Sequence, residues 1–383
     1  MIRIEKSIAA LALAAAFTAW SCPTNAAEII IKIGHVAPLT GNIAHMGKDN
    51  ENGARMAIED LNAQGLMIGG AKAKFELLAE DDGADPKQGT AAAQKLVDAK
   101  VNGVIGHLNS GTTIPASKIY FDAGIPQISP SATNPKYTLQ KFNTAFRVVA
   151  NDGQLGGTLG RYAVNTLKGK TIAVIDDRTA YGQGVADEFL KAAKAAGAQI
   201  VGREYTNNQA TDFAAILTNV KSRKPDVVFY GGMDAQAGPL LRQMKQLGIS
   251  AQLMGGDGIC STELPKLAGD ALGEGVVVCA EAGGITKEFE KGVADFRARY
   301  QKKYGDEVKL YAPYVYDAVM VMAAAMKKAN SADPKKYLPV LANIHYKGLT
   351  GPISFDQNGD INGGTLTLFT YKAGQRESLG VVK

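Results

Sequence analysis

"VIGHLNSGTTIPAS", residues 104–117, begins as a buried strand and ends as the opening of a helix, with a run of small hydroxylated residues where the character changes. In an open parallel sheet, ligands bind beyond the carboxyl ends of strands, where the following helices point their N-termini. Ser110 and Thr112 are placed to cap such a helix while backbone N–H groups face outward, and an anion is the natural guest there. The stretch "ISPSATNP" repeats the arrangement, setting Ser131, Ala132 and Thr133 just after Ile128. Two strand ends that both finish in hydroxyls and free amides describe a pocket for one small carboxylate better than one for a nucleotide.

The chain around these stretches alternates β-rich runs with amphipathic ones. "IIIKIGHV", "NGARMAIEDLNAQG", "KFELLAEDD", "PKQGTAAAQKLVDA", "VNGVIGHL", "TTIPASKIYFDAG" and "IPQISP" follow one another from Ile29 onward. Strands separated by helical patterns of about ten to fifteen residues indicate βαβ units in a mainly parallel sheet. The grammar restarts after "NDGQLGG" with "KTIAVIDD", "GVADEFLKAAKAAG", "AQIVGREYT", "DFAAILTNVKSRKP", "DVVFYGG", "PLLRQMKQLG" and "AQLMGG". Two similar doubly wound α/β lobes are expected. Helical patterns at 287–305 and 311–329, then the turn "FDQNGD" and the strand "GGTLTLFTYK", imply that the chain crosses back to the first lobe and then again to the second. That assigns residues 28–150 and 281–355 to an N-terminal lobe, and 151–280 and 356–383 to a C-terminal lobe. Lobes sharing several crossings bend about a hinge.

Residues 1–27 stand apart. Arg3 and Lys6 precede the apolar run "IAALALAAAFTAW", which is followed by small residues at "TNAA", the pattern of a secretory signal peptide cut after Ala27. The alternative is lipoprotein processing before Cys22, where Trp20 occupies a position that favours a small residue. The run is too short for a membrane span of roughly 20 residues. Removing the segment lowers the formal net charge from +5 to +4, too little for a nucleic-acid footprint. A periplasmic location follows, and in an oxidising compartment the two remaining cysteines, Cys260 and Cys279, are expected to form a disulfide. Two buried thiols are the other reading.

At this point the chain resembles a known family. "DDGADPKQ", "VIGHLNSGTTIPAS", "ISPSATNP", "AYGQG", "VVFYGG", "LMGGDG" and "FDQNGD", in this order, are similar to motifs of the periplasmic leucine/isoleucine/valine-binding proteins of ABC transporters, which have the type I periplasmic-binding (Venus-flytrap) fold. The resemblance runs from about Glu28 to the C-terminus. It implies that Ser110 and Thr133 hold an α-carboxylate through hydroxyls and amides, and that the Ser131 carbonyl and Thr133 hydroxyl accept from an α-ammonium. Ala132 lies between them in the same loop. Tyr181 matches a tyrosine reaching in from the second lobe, and Asp257 occupies the place of an ammonium-binding glutamate. Met46 and Met233 stand where leucine-binding members carry tyrosines, and Tyr311 near a position that gives an aromatic wall. Two thioethers make an adaptable apolar pocket. Ala84 and Asn109 fall where some members carry a disulfide.

The expectation is therefore a solute-binding protein, not an enzyme, that takes a neutral aliphatic L-amino acid, leucine, isoleucine or valine, and delivers it as a monomer to a membrane permease without any cofactor. Another small ligand (phenylalanine, another amino acid, an amide or a carboxylate) is the alternative within the fold, and an exported α/β enzyme the alternative outside it. Competing motifs fail on spacing. "GNIAHMGKD" has five residues between its glycines, and Asp49 replaces the Ser or Thr of a phosphate loop. "DQNGDINGG" puts Ile361 where a calcium loop needs Gly, so Asn358 and Gly359 read as a tight turn and no metal site is assigned. None of the histidines makes an H-E-x-x-H pair and no serine sits in a G-x-S-x-G elbow. His107, beside Ser110, reads as a satisfied histidine near the core.

Overall fold

The computed structural model describes residues 27–382, so the signal-peptide reading and Cys22 lie outside the described residues. The first sheet contains β1 (Glu28–Ala37), β2 (Met67–Ile68), β3 (Ala71–Asp81), β4 (Gly103–Gly106), β5 (Gln127–Ser129) and β6 (Ala145–Arg147) in the order β2-β3-β1-β4-β5-β6. All its pairings are parallel except β2 with β3. β-Branched residues fill β1, where Ile31, Ile33 and Val36 are buried, as a strand covered on both faces requires. Between the strands run α1 (Ala44–Gln64), α2 (Pro86–Asp98), α3 (Ser110–Ala123) and the short α4 (Lys136–Leu139). Asp85 caps α2 by accepting from the Lys87 and Gln88 amides, with Pro86 at the first helical position.

The chain then passes through α5 (Asp152–Asn165) into β7 (Thr171–Asp176), α6 (Ala180–Ala195), β8 (Gln199–Tyr205), α7 (Ala214–Ser222), β9 (Val227–Gly231), α8 (Asp234–Gln246), β10 (Gln252–Gly255), α9 (Leu264–Ala268) and β11 (Val277–Glu281). It continues through α10 (Lys287–Tyr304), α11 (Ala312–Lys328), α12 (Pro334–Ala342) and the two-residue strands β12 (Tyr346–Lys347) and β13 (Pro352–Ile353). It ends in β14 (Leu366–Lys372) and β15 (Gln375–Val382). The second sheet has the order β15-β14-β11-β10-β9-β7-β8, parallel from β8 to β11 and closed by antiparallel β14 and β15. α10 and α11 return to the first sheet's side, where Phe296, Tyr300 and Ala312 pack with Met56 of α1.

Two details place the second lobe's site. Gly156 and Gly160 of α5 lie against α6 so closely that a Cβ on either would come within 2.6 Å of the Val185 or Phe189 carbonyl oxygen. Only glycine lets α6 approach this near, and Tyr181 rides on its first turn. A disulfide joins Cys260 to Cys279, with Cα atoms 5.4 Å apart, fastening the segment after β10 to β11.

Three segments cross between the lobes and are bonded to one another. The Ala150 amide donates to Ala282 O at 2.8 Å and the Arg147 amide to Gly359 O at 2.9 Å. Phe146 packs its ring on Phe355, centroids 4.9 Å apart. The lobes are closed on each other: Asn42 Nδ2 donates to Asn208 O at 2.8 Å, His45 Nε2 lies 2.8 Å from Asp234 Oδ2, and Lys309 Nζ reaches Glu263 Oε1 at 2.6 Å.

Candidate functional site

Expected capping of α3 by Ser110 and Thr112 gives way to a different arrangement. Asn109 is the N-cap and makes no capping bond, while Ser110 is already helical. The hydroxyls of Thr112 and Thr113 donate backward to Asn109 O at 3.1 and 2.8 Å, because the chain turns tightly enough for both to reach that carbonyl. Ser110 Oγ accepts the Asn134 amide at 3.2 Å, tying the end of β4 to the loop after β5. The Thr112 and Thr113 amides close on Asn109 O, and those of Ser110 and Gly111 are left without a protein acceptor.

Beyond β5, the loop is split between committed and uncommitted groups. Ser131 Oγ donates to Leu108 O at 3.0 Å, and the Ala132 amide donates to Ser129 Oγ at 3.0 Å. Ala132 O accepts Arg147 Nη1 at 2.7 Å, so both Ala132 backbone groups already have protein partners. The Ser131 carbonyl and the Thr133 amide have no protein partner, and Thr133 Oγ1 is buried without one. Buried polar groups are normally satisfied, so such a cluster invites a guest.

Asp257 sits in the turn after β10, fully buried, with Tyr181 OH donating to its Oδ1 at 2.8 Å and Tyr311 OH to its Oδ2 at 2.9 Å. Tyr181 comes from α6 in the second lobe and Tyr311 from the N-cap of α11. Burial pushes the Asp257 carboxyl up to about 6, against the pull of the two phenols. The glycines around it are obligatory: a Cβ on Gly258 would lie 2.8 Å from the Tyr181 ring and 2.9 Å from Met233 Sδ, and one on Gly256 would lie 2.6 Å from Tyr181 OH.

Met46, Tyr181, Met233 and Tyr311 share one apolar cluster. Met46 is fully buried in α1, whereas Met233, the N-cap of α8, lines a cavity of about 270 Å³ between the lobes. Ile43, Ala84 and Asn109 line it from the first lobe, and Asp177, Tyr181 and Gln236 from the second. His107 lies one residue beyond β4 with both ring nitrogens occupied, Nδ1 3.1 Å from Asp82 Oδ2 and Nε2 3.0 Å from Tyr120 OH. It is a satisfied buried side chain, turned to these partners and not to Ser110.

Four positioning residues escaped the sequence reading. Arg147, fully buried, donates through Nη1 to the Ala132 and Asn134 carbonyls at 2.7 and 3.0 Å, holding both sides of Thr133, and pairs with Asp360 at 2.6 Å. The turn at Asn358 and Gly359 thus serves to deliver Asp360. Asp49 accepts the amides of Lys309, Leu310, Tyr311 and Ala312 at 2.7 to 3.1 Å and so sets the start of α11 and with it Tyr311. Asp152, buried at the start of α5, donates its amide to Thr133 O at 2.8 Å. Burial pushes its carboxyl up to about 8, against the pull of the neighbouring Thr133 hydroxyl and with the Asp257 charge adding to the rise.

A family model described as "Periplasmic binding protein" matches residues 30–376. A Leu/Ile/Val-binding protein homolog 1 of Brucella abortus is 39% identical over 335 residues, 87% of this chain and 88% of its own. A leucine-, isoleucine-, valine-, threonine- and alanine-binding protein of Pseudomonas aeruginosa is 35% identical over 370 residues, 96% of each chain. Among solved structures, a branched-chain amino acid transporter substrate-binding protein of Streptococcus pneumoniae in complex with isoleucine superposes with a TM-score of 0.83 at 28% identity, covering 93% of this chain and all of its own.

Proposed function

Because the chain belongs to the periplasmic binding protein family, we propose that it captures an aliphatic L-amino acid, leucine, isoleucine or valine, between its lobes and hands it to the permease of an ABC importer. The observation that carries this reading is the set of unanswered groups at the two strand ends, together with the buried carboxylate of Asp257. The Ser110 and Gly111 amides and the Thr133 amide and hydroxyl suit an α-carboxylate. The Ser131 carbonyl and Asp257 suit an α-ammonium, for which a charge-assisted bond to Asp257 is the stronger contact. Met233 and Tyr311 would wall the side chain, with Met46 behind. In this reading the first lobe comprises 28–150 and 281–355, the second 151–280 and 356–383, and closure brings Tyr181 and Asp257 onto a ligand seated on Ser110 and Thr133. A ligand shifts a hinge only through contacts made preferentially in the closed form.

The family places the protein outside the cytoplasm, and among the described residues no helix is long and apolar enough to cross a membrane. Export through a cleaved signal peptide and action as a monomer complete the reading. The relatives are binding proteins, which supports release of the ligand unchanged.

Thermal unfolding of the mature chain, stripped of bound ligand by denaturation and refolding, tests the reading against the twenty L-amino acids. A ligand at a hundred times its Kd stabilises by about 2.7 kcal/mol, a shift a melting curve resolves. Shifts with leucine, isoleucine or valine are expected. Shifts only with carboxylates lacking an ammonium would remove Asp257 from its role.

A further inference from the structure

Two ion pairs join the lobes beside the groups assigned to the ligand, and one of them changes its charge near neutrality. His45 stands in the first turn of α1, and its Nε2 lies 2.8 Å from Oδ2 of Asp234, the first residue of α8. Asp234 is fully buried, whereas the His45 side chain is 21% exposed and so exchanges protons with solvent. Ser261 donates its hydroxyl to the same Oδ2 and accepts the Glu263 amide at 3.2 Å, while Asp234 Oδ1 has no partner. Next to this contact the Thr262 amide donates to Lys309 O at 3.3 Å, and Lys309 Nζ bonds Glu263 at 2.6 Å and Asp306 at 2.8 Å. The disulfide at Cys260 anchors the strip 261–263 that makes these contacts. His45 and Asp234 adjoin Met46 and Met233 in the chain, so the pair meets where the proposed side-chain wall comes together.

The imidazole faces Asp234 and Glu263 from the second lobe and Lys309 from its own side. Burial lowers its pKa, but the bond to Asp234 and the charges of Asp234 and Glu263 outweigh burial and Lys309, and the ring is carried above its ordinary value of 6.5. The other pair behaves differently. Burial opposes the charges of Lys309 and Glu263, each partner outweighs it, and both stay charged across this range. We propose that His45 and Asp234 form a proton-dependent latch on the closed protein, a pair of positioning residues that retain the ligand without touching it. Closure takes a proton from solvent onto His45, and opening returns it. The proposal rests on the reading of the cleft as an L-amino-acid site. A base that is stronger in the closed form favours closure fully below its open-form value, near 6.5, and loses that contribution as pH rises through the closed-form value. Affinity then has an acid limb set by Asp257 and an alkaline limb set by His45.

Calorimetry with leucine, isoleucine and valine on the mature chain tests this at about pH 7, in buffers of low and high ionisation enthalpy, because the dependence of the heat on buffer counts the protons taken up. The wild type is expected to take up a fraction of a proton per ligand bound. His45→Gln, which keeps a donor for Asp234 without the charge, should take up less. Near pH 6.5 this variant should bind roughly three- to tenfold more weakly than the wild type, the difference between a charged and a neutral hydrogen bond, and the gap should close toward about pH 8.5. Asp234→Asn should show a similar loss, and the double variant less than the product of the two, since both remove one contact. Proton uptake unchanged in His45→Gln, or a gap that stays constant with pH, overturns the latch and leaves the amino-acid reading intact. Absence of binding by all three amino acids overturns both.

Discussion

The loop around Thr133 and the turn around Asp257 face the same cleft but are built in opposite ways. The Thr133 loop offers backbone and hydroxyl groups, held by short contacts to the strand end beside it, Ser131 to Leu108 and Asn134 to Ser110, and by one buried guanidinium. Most of its holding groups belong to the first lobe, and the second reaches it through Asp152 at Thr133 O, Ala180 O at Asn134 Nδ2 and Asp360 at Arg147. Asp257 is a charge that two phenols hold from different sides of the cleft, Tyr181 from its own lobe and Tyr311 from the helix packed against the other. In the proposed reading, the Thr133 half of the site is the more preformed and the Asp257 half is assembled by closure. Preformed donors can receive a ligand in the open protein; an assembled carboxylate can report that the lobes have met.

Removing the guanidinium attacks the preformed half and should have the largest effect. Arg147→Ala leaves Asp360 without its cation and the buried Ala132 carbonyl without a donor, while Asn134 O keeps the Tyr137 amide. Truncating one partner of a buried pair costs about 3–5 kcal/mol. Denaturant unfolding should show that loss without any ligand present. A loss under about 1 kcal/mol would mean that the loop holds itself, and the contrast with the Asp257 turn would weaken accordingly.

Asp257→Ala addresses the assembled half. It should lower ligand affinity by about tenfold or more, as an ammonium left without its partner costs roughly 1–3 kcal/mol or above, with a smaller change in the stability of the empty protein. Tyr311→Phe should weaken binding less, since Tyr181 still holds the carboxylate. Equal losses from Asp257→Ala and Tyr311→Phe in calorimetry would show that Tyr311 contacts the ligand directly.

The same division explains what the sequence made legible. "VIGHLNSGTTIPAS" and "ISPSATNP" carry the fold and half the site because strand end, loop and helix start are contiguous, and Ser110, Ser131 and Thr133 lie within them. The roles of Arg147, Asp49 and Asp360 have no such local signature. Asp49 lies 263 residues before Ala312, and in sequence it shows only as the residue that spoils a phosphate loop. Arg147 is 213 residues from Asp360, in a turn that reads as a plain hairpin signal. Side chains recruited by tertiary contact become visible only when the lobes are in place. Ala132 shows the converse: its place between Ser131 and Thr133 suggested a role, and in the fold both its backbone groups already have protein partners.

The smallest effect expected separates the halves by pH. The Asp257 carboxyl is raised by burial from its ordinary value of 3.8 to about 6, and it must be ionised to hold an ammonium. Ligand affinity should therefore decline as pH falls through about 6, and Asp257→Asn should remove that component. Stability of the empty protein moves the other way. Between about 4 and 6 the folded form holds a proton on Asp257 that the unfolded chain has released, so this group's contribution to stability falls as pH rises through that window. Asp152, raised to about 8, extends the same trend upward, whereas the uncharged donors at Ser110 and Thr133 contribute nothing to either slope. Calorimetry with leucine from pH 5 to 8, beside melting curves of the ligand-free chain, should give slopes of opposite sign. Affinity that stays level through pH 6 would assign the ammonium to the Ser131 carbonyl and Thr133 hydroxyl, and the preformed half would then hold the whole zwitterion.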